Sequence, residues 1–172
     1  MRNIVLYIAD SLDGFIAREN GSVDWLFTDA DYGYSEFYNS IDTVLMGMKT
    51  YKSIFELGGG YLYKDKKGYV FTRNPNQKKE DYVEFIHEKI AEFTRELKNL
   101  PGKDIWLVGG GEIIKIFADE SLIDQIIISI HPKILGSGIP LFPAPLKETD
   151  LKLIGSESFD SGLVQLNYLV VK

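Results

Sequence analysis

An α/β architecture, with a mostly parallel central sheet covered on both faces, follows from three features of this sequence. Short apolar runs at Ile4–Ala9, Thr43–Met46, Tyr69–Phe71 and Ile105–Val108 alternate with stretches of helical periodicity. Runs that are continuously apolar, rather than alternating, belong to strands buried on both faces. After Asp119 the helices stop. Leu122–His131, Leu151–Phe159 and Leu163–Val171 are strands, the last two forming an antiparallel hairpin around Asp160-Ser161-Gly162. With 172 residues the chain makes one domain, 1–172, in three α/β/α layers.

Taken in order, Ile4–Ala9 is a central strand that runs into a long polar loop from Asp10 to Ser22. Loops of this length inside compact domains serve as lids or binding loops. Thr28-Asp29-Ala30-Asp31 opens a helix, with Thr28 as N-cap and acids in the first turn. Its apolar positions are Tyr34, Phe37, Tyr38 and Ile41. Asp31 lies toward that stripe, where desolvation would raise its pKa and suit it to proton donation. The plainer reading is an acid that only complements the helix dipole.

Strand Thr43–Met46 turns through Gly47-Met48-Lys49-Thr50 into a helix ended by Gly58-Gly59-Gly60. Tyr69–Phe71 closes on Thr72-Arg73-Asn74-Pro75, and Val83–Ile86 is a short strand. Glu88–Leu100 is a helix with Ile90, Phe93, Leu97 and Leu100 inside, stopped by Pro101-Gly102.

The stretch from Asp104 to Asp119 organises the rest. A buried strand is halted by Gly109-Gly110-Gly111, and a helix follows with Ile113, Ile114, Ile116 and Phe117 on one face. Strand, glycine turn and helix gather free N–H groups and the positive end of a dipole at one spot, which suits a phosphate. Neither the dinucleotide fingerprint nor the P-loop spacing is met, since Ile114 stands where the former needs glycine and Gly111-Glu112-Ile113 replaces the latter's Gly-Lys-Ser/Thr. A tight turn for close helix packing is the alternative. In an open α/β sheet the carboxyl ends of parallel strands share one rim. Lys49, Thr50, Thr72, Arg73 and the amides of 109–112 would therefore converge there on one phosphorylated ligand.

Composition narrows the classes. There is no cysteine and only two histidines, which leaves no zinc-thiolate site, no disulfide and no metal centre to expect. A net charge of −6 without a basic stripe argues against nucleic acid. The amino terminus enters a strand directly, so neither a signal segment nor a membrane partner is expected, and a cytoplasmic location is the default expectation.

The set of motifs resembles the dihydrofolate reductase fold. Within it the chain is most similar to the reductase domain of the bifunctional riboflavin-biosynthesis deaminase-reductase. The resemblance is carried by Ser11-Leu12-Asp13-Gly14, Met46-Gly47-Met48-Lys49-Thr50-Tyr51, Val70-Phe71-Thr72-Arg73, Val108-Gly109-Gly110-Gly111-Glu112 and Pro132-Lys133-Ile134-Leu135-Gly136-Ser137-Gly138. It implies NADPH-dependent hydride transfer to a small heterocyclic or sugar-phosphate substrate, as in 5-amino-6-(5-phosphoribosylamino)uracil reduction. The resemblance also assigns residues. Thr50 and the amides after Gly47 would hold cofactor phosphates, Thr72 and Arg73 would meet the adenosine side, and Gly110-Gly111 would approach the pyrophosphate. Gly109–Gly110 is a candidate cis bond. Ser11, Asp13 and Gly14 would close over the nicotinamide, and Asp31 would take the place of the folate enzyme's carboxylate.

Two departures stand out. Met48 replaces an arginine common in the family, which weakens the expected preference for NADPH unless Lys49 or Arg73 compensates. Tyr51-Lys52-Ser53-Ile54-Phe55 replaces the riboflavin enzyme's substrate-phosphate segment. A dihydrofolate or dihydropterin reductase and a dinucleotide-binding module without turnover are the alternatives. The apolar carboxyl-terminal strands, together with the pairing of the riboflavin relatives, predict a homodimer.

Overall fold

A computed structural model describes residues 1–172, the surroundings of residues 57 and 58 excepted. In chain order the elements are β1 (Ile4–Ser11), β2 (Phe15–Ala17), α1 (Tyr34–Ser40), β3 (Ile41–Gly47), α2 (Met48–Gly58), β4 (Lys67–Phe71) and β5 (Val83–Ile86). They continue with α3 (Ile90–Asn99), β6 (Asp104–Gly109), α4 (Gly111–Asp119), β7 (Gln125–His131), β8 (Ile139–Pro140), β9 (Leu151–Ser158) and β10 (Val164–Val170). The main sheet runs β5-β4-β3-β6-β1-β7-β10-β9. From β5 to β7 neighbouring strands are parallel, β10 is antiparallel to β7, and β9 is antiparallel to β10. The architecture is the expected one.

Alternation of side chains across the strands makes two cores. Ile4, Leu6, Leu45, Ile105 and Leu107 pack with Leu97 of α3 and with Ile114 and Phe117 of α4. Val5, Val44, Met46, Val70 and Trp106 point the other way, against Phe37 of α1 and Tyr51 and Ile54 of α2. Each such side chain contributes roughly 1.5–3 kcal/mol of burial, so both faces of the strands demand helices.

Several boundaries differ from the sequence expectations. Helix α1 is N-capped at Gly33 and starts at Tyr34, not after an N-cap at Thr28, because Tyr32 and Gly33 adopt left-handed backbone with φ of 50° and 79°. The Asp31 carboxylate still accepts from the Ser35 backbone N–H, at 3.1 Å, but from outside the helix. Leu100 is exposed, and Thr94 and Lys98 are buried in its place on α3. Lys98 is held there by Asp124, 2.6 Å away, which also accepts the Ile4 N–H at 2.7 Å. That knot stops β7 from starting before Gln125, and Leu122 and Ile123 are buried in the turn leading to it.

Strand β1 extends to Ser11, so Asp10 is in the sheet and buried rather than in a loop. The following loop is pinned by β2, which pairs with β8. No helix among the described residues is long and apolar enough to cross a membrane.

Candidate cofactor site

The carboxyl ends of β4, β3 and β6 lie side by side, so the three junctions singled out in the sequence meet at one rim. Gly47 ends β3 against the β6–α4 turn. A Cβ on it would stand 2.9 Å from Ile113 Cγ1, closer than packing allows. Gly109–Gly110 is a cis peptide, as the resemblance implied. A Cβ on Gly110 would stand 3.2 Å from Thr50 Oγ1, so the hydroxyl of α2 lies directly beside the second glycine junction.

Helices α2 and α4 have Gly47 and Gly110 at their N-cap positions, with no side-chain cap. Their first N–H groups therefore remain available to an anion. Thr50 is half-buried beside them, and Thr72 uses its hydroxyl to accept the Asn74 N–H at 3.1 Å.

Charge gathers above these amides. Arg73 donates to Glu112 Oε2 at 2.9 Å, and Lys49 Nζ lies 3.4 Å from Glu112 Oε1. Glu112, from the glycine turn, thus meets one cation from each of the other two junctions. Met48 does not join them, since its side chain packs against the α1–α2 core.

The Ser11–Gly14 loop forms the next part of the rim. Ser11 is fully buried and donates from its hydroxyl to Asp13 at 2.6 Å. Asp13 also accepts the N–H groups of Leu135 and Gly136, at 3.0 and 2.7 Å. These three bonds hold its carboxyl down to about 2, led by the Ser11 hydroxyl. Gly14, at φ 84°, accepts the Leu141 N–H at 2.9 Å. The loop is thereby tied to the 132–143 connector. That connector also touches the glycine turn, for a Cβ on Gly111 would stand 2.9 Å from Pro140 O and 3.1 Å from Pro143 Cγ. Loop, connector and glycine turn are one continuous wall. Pro140 and Pro143 make this contact, and nothing in their spacing along the sequence reveals it.

Asp31 departs from expectation. It is exposed, its carboxyl accepts from both the hydroxyl and the N–H of Ser35, and these bonds lower its pKa rather than raise it. Its charge reaches Tyr7 and Tyr34, whose pKa values are raised first by burial and then partly by this neighbour. Tyr7 stacks on Phe37 at 4.2 Å, and the half-exposed Tyr34 lies edge-on to Trp106.

Two buried groups nearby carry no signal in the sequence. Asp10 keeps one carboxylate oxygen without a partner. His131 accepts the Phe27 N–H at 3.2 Å, with its other nitrogen beside Ser129 O, and so clamps the loop carrying Trp25 and Phe27 onto β7.

The profile of the RibD C-terminal domain family matches residues 62–165, more than half of the chain. The chain belongs to the RibD C-terminal domain family. YwjB of Bacillus subtilis (strain 168) is 46% identical over 171 residues, 98% of each chain. A putative riboflavin biosynthesis protein from Shewanella sp. PV-4 has a crystal structure that superposes over 100% of both chains, with a TM-score of 0.87 and 28% identity. The Thermotoga maritima diaminohydroxyphosphoribosylaminopyrimidine deaminase/5-amino-6-(5-phosphoribosylamino)uracil reductase matches 99% of this chain and 57% of its own, at TM-score 0.78 and 19% identity. Enterococcus faecalis dihydrofolate reductase, complexed with NADP(H), matches 99% of this chain and 97% of its own, at TM-score 0.70 and 15% identity. At those identities the last two likenesses establish a shared fold, which is dihydrofolate reductase-like.

Proposed function

We propose that this RibD C-terminal domain protein is a reductase that binds NADPH at the β4–β3–β6 rim and reduces a small heterocyclic or sugar-phosphate substrate. The observation that carries the reading is the convergence of two uncapped helix N-termini, Thr50, Lys49 and Arg73 on one place. A dinucleotide with several phosphates is the ligand such a cluster suits. Family membership supports it, as do the uracil reductase and the NADP(H)-bound reductase that share the fold.

In this reading the amides after Gly47 and Gly110 hold the pyrophosphate, and Thr50 donates to it. Arg73 and Lys49 face the adenosine end. The wall made by Ser11–Gly14 and the connector covers the other end and keeps water out, which strengthens every polar contact inside. The nicotinamide supplies the hydride. The chain supplies orientation and a shaped site. The hydrogen bonds from Ser35 favour the ionised form of Asp31, so in this reading Asp31 does not itself donate the proton that completes the reduction.

A flat heterocycle would lie against Tyr7 and Tyr34, which also suits a dihydropterin, so both substrate types belong in the test. Oxidation of NADPH at 340 nm with the aminouracil ribosylphosphate supports the riboflavin-type reading. Oxidation with dihydrofolate alone supports the second. NADPH that neither stabilises the protein nor alters Trp106 emission at millimolar concentration removes the cofactor assignment.

We also propose a homodimer. Strand β9 is an edge strand, and Leu151, Leu153 and Ile154 on it and Leu169 on β10 are exposed. Apolar edges of this kind are covered in stable proteins. Light scattering that gives a monomer at micromolar concentration excludes this assembly.

A further inference from the structure

The basic groups that the cofactor reading assigns to phosphate are already engaged by an acid of the same rim. Glu112 sits in the first turn of α4, the second residue of that helix, where the dipole favours a carboxylate. One of its oxygens accepts from Arg73 at 2.9 Å and the other lies 3.4 Å from Lys49. The cluster therefore carries two positive charges and one negative, not two positive charges alone. Met48, partly buried against the core, adds no third cation.

The two nicotinamide cofactors differ only at the adenosine 2′ position, and they ask for opposite things there. A 2′-phosphate needs both cations free and is repelled by a carboxylate. A 2′-hydroxyl has a proton to donate and gains from a carboxylate acceptor, the device that selects NAD in dinucleotide folds. A residue that occupies Arg73 and Lys49 while presenting an acceptor acts on both sides of that choice.

We propose that Glu112 is a specificity-determining residue that lowers this site's preference for the phosphorylated cofactor and lets NADH bind as well. The inference rests on the nicotinamide-cofactor reading given above. The ion pairs are exposed, with Arg73 and Lys49 more than nine-tenths accessible. Exposed pairs are individually weak, so Glu112 sets a graded preference and not an absolute one.

The test is the ratio of dissociation constants, Kd(NADH)/Kd(NADPH), by calorimetric titration of the wild type, Glu112→Gln and Arg73→Ala. Glu112→Gln keeps the shape and removes the charge. It should raise the ratio by roughly three- to tenfold, the range that releasing two exposed ion pairs supplies, with NADPH tightening and NADH weakening. Arg73→Ala should move the ratio the other way.

A ratio that Glu112→Gln leaves within about twofold of wild type overturns the proposal. So does an equal gain for both cofactors, which would put Glu112 beside the shared pyrophosphate. In either case the cofactor reading stands, because both nucleotides still bind. If neither binds the wild type or the variant, the cofactor reading fails and the proposal fails with it. An unchanged thermal midpoint for Glu112→Gln without nucleotide shows that a shifted ratio is not a folding effect.

Discussion

Replacing Asp10 with asparagine should make the protein's stability less dependent on pH, and the structure sets the size of the effect. Asp10 lies in β1 with 6% of its surface exposed, and one carboxylate oxygen has no hydrogen-bond partner. Burial, aided by the charge of Asp13 and opposed by its own backbone N–H, raises its pKa from 3.8 to about 7. The sign follows from which state holds the proton. Below about pH 4 both folded and unfolded chains are protonated there. Between about 4 and 7 the unfolded chain has lost the proton and the folded one keeps it, so each step up in pH weakens the fold. Above 7 both are ionised and the whole cost persists.

A shift from 3.8 to about 7, at about 1.4 kcal/mol per pH unit, gives a ceiling on the order of 4 kcal/mol. Asparagine removes the titration but buries an amide whose donors need partners, at about 1–3 kcal/mol that does not vary with pH. The diagnostic is therefore the difference between the two pH profiles, not the stability at one pH. Urea midpoints of wild type and Asp10→Asn from pH 4.5 to 8 should converge or cross, the wild type losing ground steadily to the variant as pH rises. Net repulsion in this acidic chain acts almost equally on both and drops out of the difference. Parallel profiles would show that Asp10 is not buried as a neutral acid.

Three further outcomes follow from other parts of the fold. His131 has its pKa lowered, chiefly by burial, so the stability it confers is present above pH 6.5 and is lost as pH falls toward its folded value. His131→Gln should lower stability at pH 7.5 and flatten the profile below 6.5, and an unchanged acid limb in a urea titration would exclude the clamp. Gly111→Ala places a methyl 2.9 Å from the Pro140 carbonyl, a backbone atom that cannot swing aside. It should cost roughly 1–3 kcal/mol, and a thermal midpoint equal to wild type would show that the connector does not press on the glycine turn. Asp31→Asn should leave turnover within about tenfold of wild type at neutral pH. A fall by the 10²–10⁴ typical of a general acid–base group would restore Asp31 as the proton donor.

How much of this was legible in the chain depends on the range of the interaction. The continuous apolar runs and the helical periodicities specify buried parallel strands and their covering helices, because burying a strand on both faces requires that pattern wherever the strand lies. The strand–glycine–helix junctions at Gly47 and Gly109–Gly111 were equally plain, since a chain that reverses sharply into a helix needs those residues locally. Where left-handed backbone intervened, at Tyr32 and Gly33, the local rule placed the helix N-cap five residues early, at Thr28 instead of Gly33. Thr28 and the acids that follow it look like a cap, and only the turn geometry shows that the chain has not yet begun to wind.

What the tertiary structure alone decided is how separate stretches meet. Strand order brings β4, β3 and β6 together, and so sets Arg73 against Glu112 across 39 positions of sequence and Lys49 against it across 63. No periodicity encodes that an acid from one junction will hold the cations of two others. Asp10 and Asp31 make the same point in opposite directions. Both are acids near the end of an apolar stretch. One is enclosed because β1 runs on to Ser11 beneath the pinned loop, and it becomes a weak acid. The other stays in solvent, bonded to Ser35, and becomes a stronger one. Solvent access and the arrival of distant partners set a side chain's chemistry, and both exist only once the chain has folded.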